Sequence, residues 1–352
     1  MTHRAQRGAA PGRAPGRSQA GRHPLGGSRA APGQRGAALL LAMLIVTLVA
    51  TLSAGMVWQQ WKGIEVETAE RARAQAAWLI EGATDWARLI LRTDAQDKEH
   101  PNVDTLNEPW NTPLKDVKLS DFLAADKNNT ADTGLEAFLS GQITDAQSRY
   151  NLRNLINDEE VEAAKELATL RRLCEALGIP PEAANRIADG MKGADLAEDQ
   201  LGDEEAVSPG APLPPQRVQQ LTWFGVDNDA VRRLAPYVII LPTPTPVNLM
   251  TAPPEVLSAV LDGLDRGSAE RFAQKRLALD VRSTSDLRPL LPEKVHAQLE
   301  DTNRVGVASN HFEIIGELRY ENFQLRELTL VARRGLEVVV LRRERLPHEG
   351  PL

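Results

Sequence analysis

Residues 37–57, AALLLAMLIVTLVATLSAGMV, form a run of 21 residues without a charge. A helix of that length spans about 31 Å, close to the thickness of the hydrocarbon core of a bilayer. A secretory signal has a shorter apolar core, about 7 to 15 residues, and ends in a small-residue cleavage site. Here Ser53 and Gly55 make only a poor site, and Trp58 and Trp61 follow where an interfacial aromatic belt would lie. The run therefore predicts a membrane anchor.

Charge is unevenly distributed along the chain. The 352 residues carry a formal net charge of −7, yet residues 1–36 contain seven arginines and no Asp, Glu or Lys, so the remainder carries −14. Because basic flanks stay in the cytoplasm, we expect the leader there and the body across the membrane. An acidic body also opposes nucleic-acid binding, which needs an excess of Lys and Arg to contact the phosphates.

The sequence lacks the common motifs of catalysis. It has no G-x-x-x-x-G-K-[ST], no G-x-S-x-G and no H-E-x-x-H, and its six histidines are scattered. Its one cysteine, Cys174, cannot form an internal disulfide and is predicted to be a buried thiol on a helix. We therefore expect a protein that is not an enzyme.

The anchor is expected to continue into a long helix, because no proline occurs between Trp58 and Arg92. Apolar residues recur there in alternating steps of three and four, along one stripe: Ala69, Ala72, Ala76, Leu79, Ala83, Trp86 and Ile90. Residues 37–92 would form one helix of roughly 84 Å, apolar all round in its first half and amphipathic in its second. A simple anchor does not need this shape, whereas a subunit that stacks its helix in a fibre does.

The junction between Gly36 and Ala37, where a basic leader meets an apolar helix, resembles the leader of type IV prepilins. The resemblance implies that a prepilin peptidase cuts after Gly36 and methylates the new N-terminus at Ala37. The helix would first anchor the subunit and then pack into the core of a pilus-like filament. An ordinary single-pass anchor is the alternative.

The fifth mature position, counted from Ala37, is Leu41, where most prepilins have Glu. In that family the Glu is thought to pair with the N-terminal amine of a neighbouring subunit, because a carboxylate in the membrane is costly unless it is paired. Lack of this Glu is characteristic of the K-type minor pseudopilin of type II secretion systems, which is thought to cap the tip. The resemblance therefore implies a subunit with no neighbour above it.

The body begins with a loop-rich stretch, residues 93–133, with at most short helices. Residues 134–156 predict a β-hairpin followed by the start of a helix. Their segment ITDAQSRYNLRNL resembles a K-type motif, which Asp145, Tyr150, Asn151 and Leu152 match. We expect the Asp and Asn side chains to satisfy backbone groups at a turn.

Residues 157–300 are predicted to be mostly helical, with Gly178 ending one helix and Gly225 separating two short ones. The segment VNLMTAPP also resembles the K-type family, through Asn248, Thr251 and Ala252, with Thr251 expected to cap a helix. The following DGLDRGSAE admits a second interpretation, a DNA-binding helix-hairpin-helix. Its glycines are four apart and its two Asp would repel phosphate, so a hairpin that packs against protein is favoured.

The C-terminal part changes to a strand-like period, which predicts three antiparallel strands from about 304 to 344, with turns at 321–322 and 334–335. The strands near 135–152 could join them. We therefore predict an α+β fold: a long N-terminal transmembrane and amphipathic helix packed on an antiparallel sheet, with a large inserted α-helical domain.

Calcium is a possible ligand, because some K-type pseudopilins bind it through acidic loops of the helical domain. The matching region here is 189–205, with Asp195, Glu198, Asp199 and Asp203 as candidate oxygen ligands. The family's compact Trp-x-Asp-x-Asp pattern is missing, so a solvated acidic loop is the favoured interpretation and no cofactor is expected.

These observations predict a K-type minor pseudopilin at the tip of the pseudopilus of a bacterial type II secretion system, which initiates assembly and supports export across the outer membrane. Its expected partners are the I- and J-type minor pseudopilins, the major pseudopilin and the prepilin peptidase, without nucleic acid. We expect a single pass through the inner membrane, with the body periplasmic.

The alternatives are a type IV pilus minor pilin and an anchored, exported protein with a helix-hairpin-helix-like binding domain. The predicted segments are a leader (1–36), a transmembrane half-helix (37–57), an amphipathic half-helix (58–92), loops and first strands (93–156), an inserted helical domain (157–300), and C-terminal strands and tail (301–352).

Overall fold

The computed structural model describes residues 34–97, 102–119, 121, 137–199, 212–320 and 323–347. The first helix, α1, runs from Gln34 to Asp94. Its residues up to Thr68 belong to one compact unit, and the chain from Ala69 onward forms a second. In the first unit the apolar side chains from Leu39 to Val57 are exposed. The described residues contain one helix that is long and apolar enough to cross a membrane, and it is α1.

The second half of α1 is amphipathic, but its buried face is not centred on the predicted stripe. The buried positions are Ala76, Ile80, Thr84, Ala87 and Leu91, one residue further along the chain at most turns. Ala76 was placed correctly, whereas the predicted Trp86 is 46% exposed. Leu79, Ala83 and Ile90 of the predicted stripe are partly buried against the same clusters, so the stripe lies at the edge of the buried face.

The second unit contains a five-stranded antiparallel sheet, whose strands are named below in the order in which they lie side by side. Its strands are β1 (Leu114–Lys118), β2 (Ala137–Asp145), β7 (His311–Tyr320), β8 (Phe323–Arg334) and β9 (Glu337–Leu346). The three predicted C-terminal strands are present and β2 joins them, pairing with β7 along its whole length. The first begins at His311 rather than near 304, and Gly335 turns the chain with φ +62°. The predicted turn at 321–322 lies outside the described residues.

The sheet packs one face against α1. Ile80, Leu139 and Leu318 share one buried cluster there, and Leu91, Trp110 and Phe312 share the next. Between the two clusters Gly141 pairs with Gly316 across β2 and β7. A Cβ on Gly316 would lie 3.8 Å from the Ile80 side chain, so the bare backbone lets the helix approach closely. The predicted helix-on-sheet packing, and with it the α+β class, is confirmed.

The predicted β-hairpin at 134–156 is wrong. β2 ends at Asp145, a single 3₁₀ turn follows at Ala146–Ser148, and the chain continues as β3, Tyr150–Asn151. β3 pairs in parallel with β4, Val238–Ile239, and not with β2. The Asp145 side chain accepts a hydrogen bond from the backbone N–H of Gln147, so the chain turns a corner instead of reversing. The strand β1 within 93–133 was also missed, since its sequence LKDVK is mostly polar.

The described residues between 157 and 300 are mostly helical, as predicted. Its α-helices are α2 (Glu160–Ala176), α3 (Pro181–Asp199), α4 (Asn228–Leu234), α5 (Pro254–Val260) and α6 (Arg266–Lys275). Gly178 and Gly225 have φ of +65° and +73° where helices end, so their predicted roles as helix stops are confirmed. Cys174 is buried on α2, and burial raises the pKa of its thiol to about 11. Short strands β5 (Val247–Asn248) and β6 (Val305–Gly306) pair in parallel beside these helices.

The helical region has its own apolar core, which includes Leu170, Ile187, Val256, Phe272 and Val295. A smaller cluster joins this region to the sheet: Ile239 and Leu241 pack with Leu330 of β8, on the face of the sheet opposite α1. The sheet is therefore covered on both faces, by α1 and by the helical region. This arrangement places the motif residues where the two meet.

Candidate assembly site

The residues predicted for processing lie in the first turns of α1. Gly36 and Ala37 are both helical, and Leu41 follows in the second turn with its side chain 58% exposed. Nothing within 4 Å would meet a Cβ on Gly36. A helix exposed and apolar on all sides needs a lipid or protein environment, because such a surface is unfavourable in water. Cleavage at Gly36 remains a prediction.

The amphipathic half of α1 has a second apolar face. Trp78 and Leu89 are 75% and 55% exposed, and they lie about 180° around the helix from the buried positions Ile80 and Leu91. Trp86, at the edge of this face, is also exposed. One side of α1 therefore packs on the sheet while the other exposes large apolar side chains.

The two sequence motifs meet in a buried polar hub around Asp145. One carboxylate oxygen of Asp145 accepts hydrogen bonds from the Thr251 hydroxyl (2.5 Å), the Ser309 hydroxyl (2.7 Å) and the Asn248 amide (3.0 Å). The other oxygen accepts the backbone N–H of Gln147 at 2.7 Å. Burial raises the pKa of Asp145 to about 6, although the Thr251 and Ser309 hydroxyls lower it. The hub ties the end of β2 to the start of β7 and to the loop after β5.

Three side-chain amides hold the PTPTP segment, residues 242–246. The amide of Asn151 donates to the carbonyl of Thr243 (2.8 Å), that of Asn154 to the carbonyl of Thr245 (2.9 Å), and that of Gln147 to the carbonyl of Pro246 (3.0 Å). Asn151 also accepts the backbone N–H of Arg153, as the predicted turn role requires, so that prediction is confirmed. The same side chain additionally holds the distant Thr243. A proline-rich segment lacks N–H groups for a sheet, so side-chain donors must fix it.

Tyr150 lies on a buried ion pair. Its hydroxyl donates to Glu166 at 2.8 Å, and Arg304 donates to the other carboxylate oxygen of Glu166 at 2.8 Å. Burial, followed by the charge of Glu166, raises the pKa of Tyr150 well above its ordinary value. Glu166 therefore has its charge compensated, and the contact fixes β3 against α2.

Thr251 does not cap a helix, so that prediction is wrong. The cap residue of α5 is Pro253, with Pro254 at the first helical position as predicted. Thr251 is instead drawn into the hub, since its hydroxyl donates to the buried carboxylate of Asp145. The carbonyls of Leu249 and Ala252 on either side accept hydrogen bonds from the buried Arg276, both at 2.7 Å.

The hairpin at DGLDRGSAE joins α5 to α6, with Leu264 and Ala269 buried and its charged turn residues exposed. Asp265 is the N-cap of α6, where its side chain accepts the backbone N–H of Ser268 at 2.9 Å. That carboxylate occupies the position at which a helix-hairpin-helix would hold a phosphate. Val256 and Leu257 of α5 are buried in the helical core, consistent with the favoured protein-packing interpretation.

The acidic segment predicted as a possible calcium loop begins on α3. Asp195 is half-buried and pairs with Arg153 at 2.9 Å. The side chains at 198–199 and the whole of Asp203 lie outside the described residues. The one candidate ligand that the structure describes is therefore held by an arginine, and does not by itself fit a site that needs six to eight oxygens.

Arg333 forms ion pairs with two acidic side chains at the end of α1. Its guanidinium donates to Asp94, the last residue of α1, at 2.9 Å, and to both oxygens of Asp104 at 2.6 Å. Glu108 is close by and accepts the indole N–H of Trp110 at 2.5 Å and the backbone N–H of Thr105 at 2.8 Å. Asp104 in turn accepts the backbone N–H of Ser309, which links this group to the hub.

Sequence reasoning did not find Ser309, Asp104, Arg333, Asn154 or Arg276. For Asn154 a signal existed, because Asn151 and Asn154 are three apart and so lie on one side of a 3₁₀ turn. Each of the other four residues bonds to partners more than 20 residues away in the sequence. No local sequence pattern marks a residue that completes such a distant hydrogen-bond network.

Comparisons with known proteins agree on one family. A family model described as "Type II secretion system (T2SS), protein K" matches residues 148–243, the part that contains Tyr150, Asn151 and Asn154. The type II secretion system protein K of Pseudomonas aeruginosa is 28% identical over 301 residues, which cover 81% of this chain and 85% of the relative. The protein of the same name from Pectobacterium carotovorum subsp. carotovorum is 27% identical and covers 88% of this chain and 96% of the relative.

A solved structure has the same fold. It is a chain of the crystal structure of the GspK-GspI-GspJ complex from the type 2 secretion system of enterotoxigenic Escherichia coli. The match has a TM-score of 0.62 at 18% identity, and covers 80% of this chain and 99% of that one.

Proposed function

We propose that this chain, which belongs to the type II secretion system protein K family, caps the tip of a pseudopilus and initiates its assembly. Its role is that of a minor pseudopilin. The helix α1 is its single anchor among the described residues, and the body is expected in the periplasm because the basic leader favours the cytoplasm. The family and the motifs at Asp145 and Asn248 do not favour a type IV pilus minor pilin or an anchored binding protein.

The observation that carries the tip position is Leu41. A carboxylate at this place would be stable in the membrane only beside the amine of another subunit, and a tip subunit has no such neighbour. The helical region supports the same position, since a bulky addition to one face of the sheet would obstruct a subunit stacked above it. Residues 157–300 are the proposed bounds of that region.

The proposed partners are the I- and J-type minor pseudopilins, because the matched solved chain comes from a complex of GspK with GspI and GspJ. The exposed face of α1 with Trp78 and Leu89 is the surface we assign to this contact. The major pseudopilin and the prepilin peptidase are further partners in this proposal, and no metal is required.

The first test is the N-terminus of the membrane-extracted protein, measured by mass spectrometry in cells with an active prepilin peptidase. We expect a methylated Ala37. An intact N-terminus upstream of Gly36 would contradict processing as a pseudopilin and return residues 37–57 to an ordinary anchor.

The tip position is tested by Leu41→Glu, with Leu41→Gln as the matched uncharged control. An unpaired carboxylate costs at most about 2.5–3.5 kcal/mol, the value for the centre of a membrane helix, and Leu41 lies nearer the end of the run 37–57, so the Glu variant should be recovered in the complex less well than the Gln control. Equal recovery of the Glu variant would mean that an amine is available to it, which a tip subunit should not have. Deleting 157–300 without loss of complex formation or secretion would count against the blocking role.

The partner surface is tested by co-purification of full-length subunits. Trp78→Ala and Leu89→Ala should weaken recovery of the I- and J-type subunits, because each removes an exposed apolar anchor. Trp223→Ala is the control, since Trp223 is 54% exposed but lies in the helical region. The assignment of α1 fails if the control weakens the complex and the α1 variants do not.

A further inference from the structure

We propose that Asp94 and Glu108 share one proton and form a pH-dependent clasp, which fastens the loop of residues 103–111 to the end of α1 more tightly as the pH falls. The clasp is independent of the proposed tip function. It rests on a cluster of three carboxyl groups served by one guanidinium.

The geometry leaves the cluster with too little positive charge. Oxygens of Asp94, Asp104 and Glu108 all lie within 4.8 Å of one another. Arg333 pairs with Asp94 and Asp104, whose side chains are 11% and 0% exposed. With all three carboxyls ionised the group would carry three negative charges against the one positive charge of Arg333, a net charge of −2, and Coulomb repulsion at this distance is strong in a partly buried site.

A shared proton resolves the imbalance. Oxygens of Asp94 and Glu108 lie within 4.8 Å of each other, and burial raises the pKa of both carboxyl groups, so one proton shared between them relieves their repulsion. Burial, together with the charges of Asp94 and Asp104, raises the pKa of Glu108 to about 8, although the indole of Trp110 opposes the shift. Glu108 is therefore the group that holds the proton at neutral pH, and the carboxylate of Asp94 is the nearby group to which it can donate.

The clasp joins three elements. Asp94 ends α1, Arg333 lies near the end of β8, and Glu108 belongs to the loop that carries the buried Trp110. Trp110 packs edge-on against Phe312 of β7, with ring centroids 5.5 Å apart. The charged groups that face Glu108 are Asp94 from α1, Asp104 from its own loop and Arg333 from β8, while Asp145 of β2 acts on the group through Asp104.

The direction of the pH dependence follows from the shift. Glu108 has an ordinary pKa of 4.5 when the loop is open and about 8 when it is closed, so closing binds a proton. The free energy that favours the closed loop is therefore largest below about pH 4.5 and decreases as the pH rises towards 8. Above about pH 8 it no longer changes with pH. The raised pKa of Asp145, about 6, makes the range from pH 6 to pH 8 the one in which Glu108 dominates.

Hydrogen–deuterium exchange of the full-length protein in detergent micelles, corrected for the intrinsic rate at each pH, measures the opening of residues 103–111. In the wild-type chain the opening should rise by up to about tenfold for each pH unit between 6 and 8. Glu108→Gln should remove this slope, because the amide cannot ionise. Its one oxygen replaces only one of the two acceptors that Trp110 and Thr105 now use, so protection should also fall by the same factor at every pH. Glu175→Gln, a change on the exposed side of α2, should leave the slope unchanged.

Asp94→Asn gives a second measurement, since an Asn amide can donate to an ionised Glu108 and carries no charge, so the slope should become shallower while burial and Asp104 still raise the pKa of Glu108. A purely structural role for Glu108 would lower protection equally at every pH and leave the slope in place. A wild-type profile that is flat from pH 6 to pH 8, a slope that survives in Glu108→Gln, or a slope in Asp94→Asn as steep as in the wild type would overturn the proposal.

Discussion

Replacing Asp145 with Ala should destabilise the chain most strongly at acid pH. The substitution removes the acceptor at the centre of the hub. Asn248 would keep its contacts with the carbonyl of Asp104 and the Ser309 hydroxyl, and Thr251 could turn to the carbonyl of Asn248. The backbone N–H of Gln147 and the hydroxyl of Ser309 would lose the acceptor that they have now.

The expected loss is about 4 kcal/mol where Asp145 is protonated, because each of these two buried donors left without an acceptor costs about 2 kcal/mol. Native Asp145 has a pKa of about 6, against 3.8 as its ordinary value, so the folded state binds the proton more tightly than the unfolded state. This contribution is complete below pH 3.8 and is lost as the pH rises to 6. Between pH 4 and pH 7 the free energy of unfolding of the native chain should therefore fall by about 2 kcal/mol because Asp145 ionises. The Ala variant has no carboxyl group at this position and should not show this fall.

Urea unfolding of the full-length protein in detergent, followed by circular dichroism at pH 4 and pH 7, measures both quantities. The cost of Asp145→Ala should be about 4 kcal/mol at pH 4 and about 2 kcal/mol at pH 7. Asp189→Asn, on the exposed side of α3, is the control and should cost little at either pH. A cost for Asp145→Ala that is equal at the two pH values would refute the pKa argument. A cost under about 1 kcal/mol at pH 4 would refute the role of the hub itself.

Three further changes test the helical region. Gly190→Ala should cost about 1–3 kcal/mol in urea unfolding, because its Cβ would lie 2.3 Å from the ring of Phe224, whereas Gly193→Ala meets its nearest atom at an ordinary 3.4 Å and should not be destabilising. Arg304→Ala should cost about 3–5 kcal/mol, since it leaves the buried charge of Glu166 without its partner; a loss below 1 kcal/mol would show that Glu166 can take a proton instead. Chelation of calcium with EGTA should leave the thermal midpoint unchanged, because the one described side chain of the acidic loop is already paired with an arginine; a clear fall would assign calcium a structural role there.

The order of elements could be predicted from the sequence, because it depends on local patterns. A long run without charges becomes a helix, alternating residues become the strands β7 to β9, and glycines such as Gly178 and Gly225 end helices because their φ is positive. The roles of Asp145 and Asn151 at turns were predictable for the same reason, since their side chains bond to backbone two residues away.

Only the tertiary structure decided which distant residues these side chains also meet. The end of β2 at Asp145 gathers Thr251 and Ser309 from segments 106 and 164 residues away. Nothing local distinguishes such a Thr from a helix cap, so Thr251 was misassigned. The shared proton of Asp94 and Glu108 is equally invisible in the sequence, because a pKa depends on burial and on the charges that the fold brings together. The sequence by itself determined an anchored helix, an antiparallel sheet and a helical insertion, whereas their joining through buried polar contacts was decided by folding.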